Sequence, residues 1–195
     1  MLTLLVGDSL AHLKDMDDDS VEAIITDPPY DFKDDVKEEF HNEFLRVAKG
    51  TVIVFAPPEN QWIPSEQYLF WIKPISTKNT SRKYSRFVEV IHVYRSGRSK
   101  WNPDRHWSQY VNVFNDSVES KIVHPFQKPM AMMERLIKNH TDRGDRVLDP
   151  FCGSGTTALA CLRTERECTG LEIDPKTADI CMARVGAEHM RMKKV

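Results

Sequence analysis

The chain has 195 residues, of which 41% are hydrophobic and 29% are charged, and its formal net charge at pH 7 is −2. This length suits one domain with a substantial core, and the composition is typical of folded proteins, which argues against disorder. A net charge near zero provides no general attraction to nucleic acid, so any such binding requires a local basic patch.

The sequence also argues against a membrane protein and against a metal-binding site. No apolar run approaches the roughly 18 residues of a membrane span, and the start of the chain lacks the basic flank of a signal peptide, so we expect a cytoplasmic protein. Cys152, Cys161, Cys168 and Cys181 show no metal-ligand spacing. We therefore expect reduced, mostly buried thiols and no metal site.

The first third of the chain alternates strands and helices. The predicted elements are a strand at Thr3–Val6, a short helix after Asp8, a strand at Val21–Thr26, a helix at Asp34–Ala48 that is stopped by Gly50, and a strand at Thr51–Phe55. This order predicts a parallel sheet that is covered by helices.

The middle third has a different pattern. Tyr68–Ile72 and Phe87–Tyr94 are predicted strands joined by the polar stretch Ser76–Ser85, which indicates an antiparallel hairpin at an edge of the sheet. Residues 95–122 are predicted to form a short irregular insertion and the candidate target-recognition region, because their basic, aromatic and polar residues show no periodicity.

The α/β order then resumes. The predicted elements are a helix that opens at Lys128-Pro129 and ends before Gly144, a strand at Arg146–Leu148, a helix at Thr156–Arg163, a strand at Cys168–Ile173, and a helix that Asp174 caps and Pro175 begins. The whole chain, residues 1–195, is thus predicted to be a single α/β domain with a mostly parallel sheet.

The tetrapeptide Asp27-Pro28-Pro29-Tyr30 directly follows a predicted buried strand. Proline has no N–H, so the carbonyl groups around Pro28 and Pro29 stay available as acceptors. Asp27 and a neighbouring carbonyl can accept both protons of an exocyclic amine while Tyr30 stacks on its ring. The alternative is a simple turn that closes the strand.

A second candidate site lies far downstream. A strand that ends at Asp149 is followed by a turn with Phe151, Gly153 and Gly155, a helix from Thr156, and a second strand that ends in Glu172. Such a turn allows close approach to the backbone, and the acidic residue can accept the ribose hydroxyls of a nucleoside. The alternative is a tight turn with Glu172 as a solvated cap.

Parts of these motifs also suggest two other enzyme classes, dehydrogenases and serine hydrolases. The turn satisfies the relaxed dinucleotide fingerprint of dehydrogenases, but 23 residues follow Glu172, which are few for the second half of such a fold. Gly7-Asp8-Ser9-Leu10 suggests a serine hydrolase, but no histidine has an aspartate three residues before it. Asp8 is therefore expected to cap a helix or contact a ligand.

Taken together, these motifs resemble the β class of DNA amino-methyltransferases, the N-4/N-6 DNA methylases with an Asp-Pro-Pro-Tyr tetrapeptide. The catalytic tetrapeptide precedes the cofactor loop, as in that class. The matching segments are Gly7–Leu10 with Asp17–Tyr30, Trp71-x-Lys73-Pro74 with Arg86, Phe87 and Glu89, His124-Pro125-x-Gln127-Lys128-Pro129, and Asp149–Thr157.

The resemblance implies a Rossmann-like, S-adenosylmethionine-dependent methyltransferase fold with circularly permuted motif order. It implies transfer of a methyl group to the exocyclic amino group of a flipped adenine in DNA, with Asp27 and the Pro28 carbonyl as acceptors and Tyr30 as the stacking ring. The alternatives are a cytosine 4-amino enzyme, which more often has serine in place of Asp27, and a non-catalytic DNA-binding protein. Those RNA and protein amino-methyltransferases that carry similar tetrapeptides usually place the cofactor motif first.

The resemblance also assigns cofactor contacts. It implies that the cofactor loop surrounds the methionine part, that Glu172 binds the ribose, that Ile173 and Asp8 contact the cofactor adenine, and that Lys128 approaches the cofactor carboxylate or is a plain surface lysine. The implied cofactor residues are Asp8, Lys128, Asp149, Phe151, Gly153, Gly155, Thr156, Glu172 and Ile173.

For DNA, the predicted patch consists of Arg95, Arg98, Lys100 and Arg105, interleaved with tryptophans; the alternative is an ordinary solvated basic loop. Members of the family often form dimers, so the resemblance also allows a homodimer. Asp31–Asp35 replaces the asparagine or glycine that usually follows the catalytic tyrosine, so the lip of the base pocket is expected to differ.

Overall fold

Strands and helices alternate along most of the chain. The computed structural model describes residues 1–73, 87–102, 111–117 and 127–193. The strands are β1 (Leu2–Val6), β2 (Val21–Thr26), β3 (Ala48–Ala56), β4 (Gln67–Ile72), β5 (Val88–Arg95), β6 (Val113–Phe114), β7 (Arg146–Asp149) and β8 (Glu167–Glu172). The helices are α1 (Ser9–Lys14), α2 (Asp34–Val47), α3 (Met130–His140), α4 (Thr156–Arg163) and α5 (Pro175–Met192).

The described strands form one eight-stranded sheet with the order β1-β8-β7-β2-β3-β5-β4-β6. Neighbours from β1 to β3 are parallel, whereas β5 runs antiparallel to both β3 and β4. The predicted fold class, a single α/β domain with a mostly parallel sheet, is confirmed.

The predicted hairpin of β4 and β5 is present, but it does not form the edge of the sheet. β6 pairs in parallel with β4 through Phe70 and Trp71 and covers it. Because β6 consists of Val113–Phe114, the predicted insertion is not wholly irregular. Of residues 95–122, the parts 103–110 and 118–122 lie outside the described residues.

The prediction that Gly50 stops α2 is wrong. The helix ends at Val47 and the next residue, Ala48, already begins β3. Gly50 lies inside that strand, where a Cβ atom would be 2.6 Å from the carbonyl oxygen of Glu22 and 3.5 Å from the Cα of Ser99. Glycine is therefore needed for close backbone approach, not for ending the helix.

The central strands are buried on both faces. Alternate residues of a strand point to opposite sides, so Ile25 and Ile53 pack on one side of the sheet while Ile24 packs on the other. The first side contains buried residues of α3, α4 and α5, such as Leu136, and the second contains buried residues of α1 and α2, such as Phe44. The sheet is thus a middle layer between two helical layers.

The described ranges contain neither a helix suited to cross a membrane nor a cluster of side chains suited to bind a metal ion. No helix there combines the length and apolar character that crossing a bilayer requires. Across the same ranges, no group of three or more His, Cys, Asp or Glu side chains is placed to hold a metal ion. The four cysteines are free and buried, as expected for structural thiols.

We predict that Gly155→Ala destabilises the fold more than Gly144→Ala. Both glycines have a positive φ, +86° and +84°, which costs a residue with a Cβ about 1–2 kcal/mol. Only at Gly155 would the new Cβ also meet a neighbour, the Sγ of Cys181 at 2.5 Å, while nothing lies within 4 Å at Gly144. Overpacking adds about 1–3 kcal/mol. Urea unfolding of both variants measures the difference, and equal losses would contradict the steric argument.

Candidate active site

A cavity of about 830 Å³ opens at the carboxyl ends of the parallel strands. Its walls include the residues that end or follow β2, β7 and β8, namely Thr26, Asp149 and Glu172. After β7 the chain continues to β8 on one side, and after β2 it continues to β3 on the other side. The cavity therefore lies at the topological switch point of the sheet. Open α/β sheets bind ligands at this position.

The cavity brings the two predicted sites together. It is lined by the whole tetrapeptide Asp27–Tyr30 and by eight of the nine residues predicted to bind the cofactor: Asp8, Lys128, Asp149, Phe151, Gly153, Thr156, Glu172 and Ile173. Gly155 is the exception: it is the left-handed residue before α4, where a Cβ would meet Cys181. The structure therefore gives Gly155 a packing role.

Both carboxylate oxygens of Asp27 accept hydrogen bonds. The Tyr30 hydroxyl donates to Oδ1 over 2.8 Å, and the Lys128 ammonium donates to Oδ2 over 2.5 Å. Lys128 also lies 3.3 Å from the Tyr30 hydroxyl oxygen. The carboxylate that follows β2 is thus held between a phenol and an ammonium group.

Lys128 is not a plain surface lysine. Its side chain is buried and donates to the Asp27 carboxylate. It also lines the cavity, and its contact with a cofactor carboxylate stays a prediction. Its Nζ also lies 3.1 Å from Oε2 of Glu89, whose Oε1 lies 2.5 Å from Nζ of Lys73. An alternating chain of charges therefore runs from Asp27 through Lys128 and Glu89 to Lys73.

Glu89 and Lys73 were missed as site residues. Glu89 is 4% exposed and lies in the mostly buried strand β5. That pattern was a usable signal, because an acidic residue inside a buried strand requires a charged or hydrogen-bonding partner. The sequence does not name the partner, since Lys128 is far from Glu89 along the chain.

Burial and charge oppose each other at this cluster. Burial raises the pKa of Asp27, and the charge of Lys128 acts against that rise. Burial alone would lower the pKa of Lys128, but Asp27 and Glu89 outweigh it and raise that pKa. Burial, followed by the negative charge of Asp27, raises the pKa of Tyr30, which keeps its hydroxyl protonated as a donor. The charge on Asp27 therefore depends on its partners.

Tyr30 is held through its backbone by residues outside its own turn. The side-chain amide of Asn60 donates to the Tyr30 carbonyl oxygen. The buried ammonium of Lys37 in turn donates to Asn60 Oδ1 over 2.5 Å and to the Gln61 carbonyl oxygen over 3.0 Å. α2 and the loop after β3 thus fix the end of the tetrapeptide.

Glu172 fixes the glycine turn. Its Oε2 accepts from the backbone N–H of Gly153 and its Oε1 accepts from that of Asp174, each over 2.9 Å. Gly153 has a φ of +52°, and nothing except the Phe151 carbonyl oxygen lies within 4 Å of its built Cβ position. A carboxylate offers about four lone-pair positions, so two remain available for hydroxyl groups.

Three phenylalanines in mutual contact form part of the apolar wall of the cavity. Phe151 packs against Phe32 and Phe40, with ring centroids 5.7 Å and 5.1 Å apart. Phe32 belongs to the segment 31–35 in which the sequence departs from the family pattern, and it supplies an aromatic wall there. Ile173 is 68% exposed at the mouth of the cavity.

Asp8 and Asp149 have internal partners. Asp8 is the N-cap of α1 and accepts from the Ala11 N–H over 2.8 Å, which is the capping role considered from the sequence. Asp149 is buried and accepts from the Thr26 hydroxyl over 2.8 Å and from the Phe151 N–H over 3.2 Å. Burial raises the pKa of Asp149 to about 6. Asp149 thus ties β7 to β2 beneath the cavity.

The predicted DNA patch lies at the end of the strands that is opposite the cavity. Arg95 pairs with Thr51 near the start of β3, whereas the cavity borders Phe55 near its end. Arg98 bonds Asp19, just before β2, over 2.6 Å, and Lys100 bonds Asp145, just before β7, over 2.7 Å.

Arg95 donates to Gln67 over 2.7 Å and lies 4.3 Å from the centre of the Trp101 ring. Arg95, Arg98 and Lys100 thus have partners within the chain, and their contact with DNA stays a prediction. Arg105 lies outside the described residues.

Comparison with known proteins decides the family. The family profile described as DNA methylase, of the N6/N4 methyltransferases, matches residues 40–183. The chain belongs to this DNA methylase family. The predicted family is confirmed, and the match includes Glu89, Lys128 and the glycine turn but begins after Asp27.

The relatives of this DNA methylase include longer methyltransferases. Type II methyltransferase M.HpaI of Haemophilus parainfluenzae is 27% identical over 236 residues, which cover 95% of this chain and 74% of the relative. The crystal structure of an M1.HpyAVI–SAM complex is 29% identical, with a TM-score of 0.76, and the match covers 94% of this chain and all of that chain. That structure agrees with the predicted cofactor, S-adenosylmethionine.

The cytosine-N4-specific PvuII DNA methyltransferase has a TM-score of 0.79 and 17% identity, with 94% of this chain and 86% of that chain covered. At this identity the likeness shows the fold of the methylase.

We predict that Asp149→Asn changes the pH dependence of the free energy of unfolding. The pKa of Asp149 is about 6 in the folded chain, against about 3.9 for an unfolded aspartate. The folded state binds this proton more tightly, so the stabilisation is full below the unfolded pKa and is lost as pH rises through about 6. The loss is on the order of 2–3 kcal/mol.

Urea unfolding between pH 4 and pH 7 measures this effect as the difference in the free energy of unfolding between the original chain and Asp149→Asn. The asparagine side chain keeps an oxygen for Thr26 and Phe151 but does not titrate. Asp179→Asn, on the exposed face of α5, controls for the loss of one negative charge. A difference that stays constant with pH would contradict the assignment.

Proposed function

We propose that this DNA methylase transfers a methyl group from S-adenosylmethionine to the exocyclic 6-amino group of adenine in DNA. The observation that carries this proposal is the position of the Asp27 carboxylate in the same cavity as the Gly153 turn and Glu172. An acceptor for an amino group and an acceptor for a nucleoside thus face one enclosed space.

The residues of the cofactor side fit S-adenosylmethionine. Glu172 retains lone pairs for the ribose hydroxyls, the Gly153 turn allows close approach to the backbone, and Phe151 provides an apolar wall. The cofactor supplies an electrophilic methyl group on a positively charged sulfonium. M1.HpyAVI, which is 29% identical to this chain, has been crystallised with S-adenosylmethionine.

The residues of the base side fit a planar amine. Asp27 and the Pro28 carbonyl accept the two amino protons, which draws the nitrogen lone pair out of the purine ring and towards the methyl group. Tyr30 is half-buried at the cavity wall and can stack on the base. Flipping the base costs on the order of a few kcal/mol, and stacking returns about 1–3 kcal/mol.

The choice of adenine is supported by the acidic first residue of the tetrapeptide. Cytosine 4-amino enzymes of the family more often have serine there, and that activity is the alternative outcome of the test below. The non-catalytic alternative is disfavoured by a cavity in which the acidic and aromatic residues are held by specific hydrogen bonds. Homodimer formation and a cytoplasmic location stay predictions.

We predict that Asp27→Asn lowers the rate of methyl transfer by about 10²–10³-fold, the usual effect of losing one well-placed electrostatic contact. The chain is incubated with labelled S-adenosylmethionine and DNA, and the nucleosides are then analysed for the label. We expect the label in 6-methyladenine. Asp179→Asn, on the exposed face of α5, is the matched control and should keep full activity. Label in 4-methylcytosine would overturn the adenine assignment.

We predict that Glu172→Ala weakens S-adenosylmethionine binding by at least tenfold. The substitution removes the acceptor that holds the Gly153 and Asp174 N–H groups as well as the proposed ribose contact, and bonds to a charged group contribute about 1.5–3 kcal/mol each. Calorimetric titration without DNA measures the affinity. Glu167→Ala, at the opposite end of β8, is the control. Equal affinities in the two variants would contradict the assigned role.

A further inference from the structure

The ammonium of Lys128 occupies one acceptor oxygen of Asp27, the residue to which the proposed function assigns the amino group of the target base. It is buried, and it donates to Asp27 Oδ2 over 2.5 Å, which is the shorter of the two contacts of this carboxylate. An amino group that binds Oδ2 shares that oxygen with the ammonium or displaces it. An amino group that binds there therefore competes with the ammonium for Asp27.

A second acceptor for the ammonium lies beside the first. Oε2 of Glu89 is 3.1 Å from Nζ of Lys128, and within the described residues this buried oxygen accepts no hydrogen bond of good geometry. The other oxygen of Glu89 is held by Lys73 at 2.5 Å. Glu89 thus presents one occupied oxygen and one that is ready to accept Lys128.

We propose that Lys128 is a positioning residue that holds Asp27 as a carboxylate in the free enzyme and moves to Glu89 when the amino group of the base arrives. This proposal rests on the proposed function, because it assigns the amino group of the base to Asp27. The movement needs no exposure of a buried charge to solvent, since the ammonium stays between two carboxylates.

The charge balance explains why both partners are required. The groups that face Asp27 are Tyr30 from its own turn, Lys128 from the segment before α3, Glu89 from β5, and Asp149 from β7. Lys73 lies behind Glu89. Burial and the charge of Glu89 favour the protonated form of Asp27, and Lys128 is the nearest positive charge that opposes them. A protonated Asp27 has fewer acceptor positions for an amine.

Removing Lys128 and removing the charge of Glu89 should therefore shift Asp27 in opposite directions. With Lys128→Met, loss of the adjacent positive charge should raise the pKa of Asp27 by about 1–3 units. With Glu89→Gln, loss of the nearby negative charge should lower it. A purely structural role predicts no such pair of opposite shifts.

Carboxyl ¹³C NMR of the full chain measures the pKa of Asp27, with Asp27→Asn to assign its signal. Lys128→Arg keeps the charge and should restore a pKa of Asp27 close to that of the original chain. Lys49→Met is the control, because Lys49 is exposed near the start of β3, at the end of the strands opposite the cavity. Lys73→Met is a second variant for the case in which Glu89→Gln does not fold, because the Lys73 side chain is one-third exposed. Lys73→Met should raise the pKa of Asp27, because Glu89 without Lys73 attracts Lys128 more strongly. Unchanged pKa values in Lys128→Met, or shifts of one sign in Lys128→Met and Glu89→Gln, would overturn the proposal.

Single-turnover methylation gives the second measurement. The acid limb of the rate should move to higher pH in Lys128→Met and to lower pH in Glu89→Gln. Glu89→Gln should also raise KM for DNA by about tenfold or more, because the displaced ammonium has no second carboxylate; a KM equal to that of the original chain would overturn the exchange. If the original chain methylates no DNA, the proposed function fails by itself, while the NMR titration still decides whether Lys128 sets the charge of Asp27.

Discussion

The hydrogen bond from the Thr26 hydroxyl to Asp149 joins the two halves of the active site. β2 and β7 are adjacent parallel strands, and this buried 2.8 Å contact lies where both reach the cavity. One residue further on, β2 gives Asp27, and two residues further on, β7 gives Phe151. A tetrapeptide and a glycine turn that are more than 100 residues apart in the sequence thereby face each other.

The cavity is built with buried charges where a more stable protein would use apolar side chains. Lys128 and Glu89 are both nearly inaccessible, and each costs several kcal/mol to bury unless it is paired. Their pairing with Asp27 and Lys73 offsets much of that cost, while ion pairs of this kind seldom add net stability. We therefore attribute the cluster to chemistry and not to stability. Within it, the charge of Lys128 opposes the rise that burial causes in the pKa of Asp27.

Local signals in the sequence predicted most of the fold. β2 and α4 have the predicted bounds, because their burial pattern and flanking turn residues lie within a few positions of one another. Long-range features were predicted less well. The edge position of the hairpin was wrong because β6 pairs with β4 from a separate part of the chain.

The same distinction holds for the site. Motif spacing predicted residues that line the cavity, such as the tetrapeptide and Glu172, but it did not predict that Lys128 pairs with Asp27. Charged side chains find their partners in three dimensions. Arg98 and Lys100 each pair with an aspartate that lies just before a strand elsewhere in the chain.

The segment 31–35 shows how a local departure from the family pattern is accommodated. The position after Tyr30 lacks the usual asparagine or glycine, but Asn60 reaches the Tyr30 carbonyl from the loop after β3. Lys37 orients Asn60, and Asp34 lies 3.2 Å from the same ammonium. The acidic residue that makes the segment look unsuitable thus supports the contact that fixes the tyrosine. Phe32 stacks on Phe40 with ring centroids 5.4 Å apart, so the departing segment supplies an aromatic wall to the cavity.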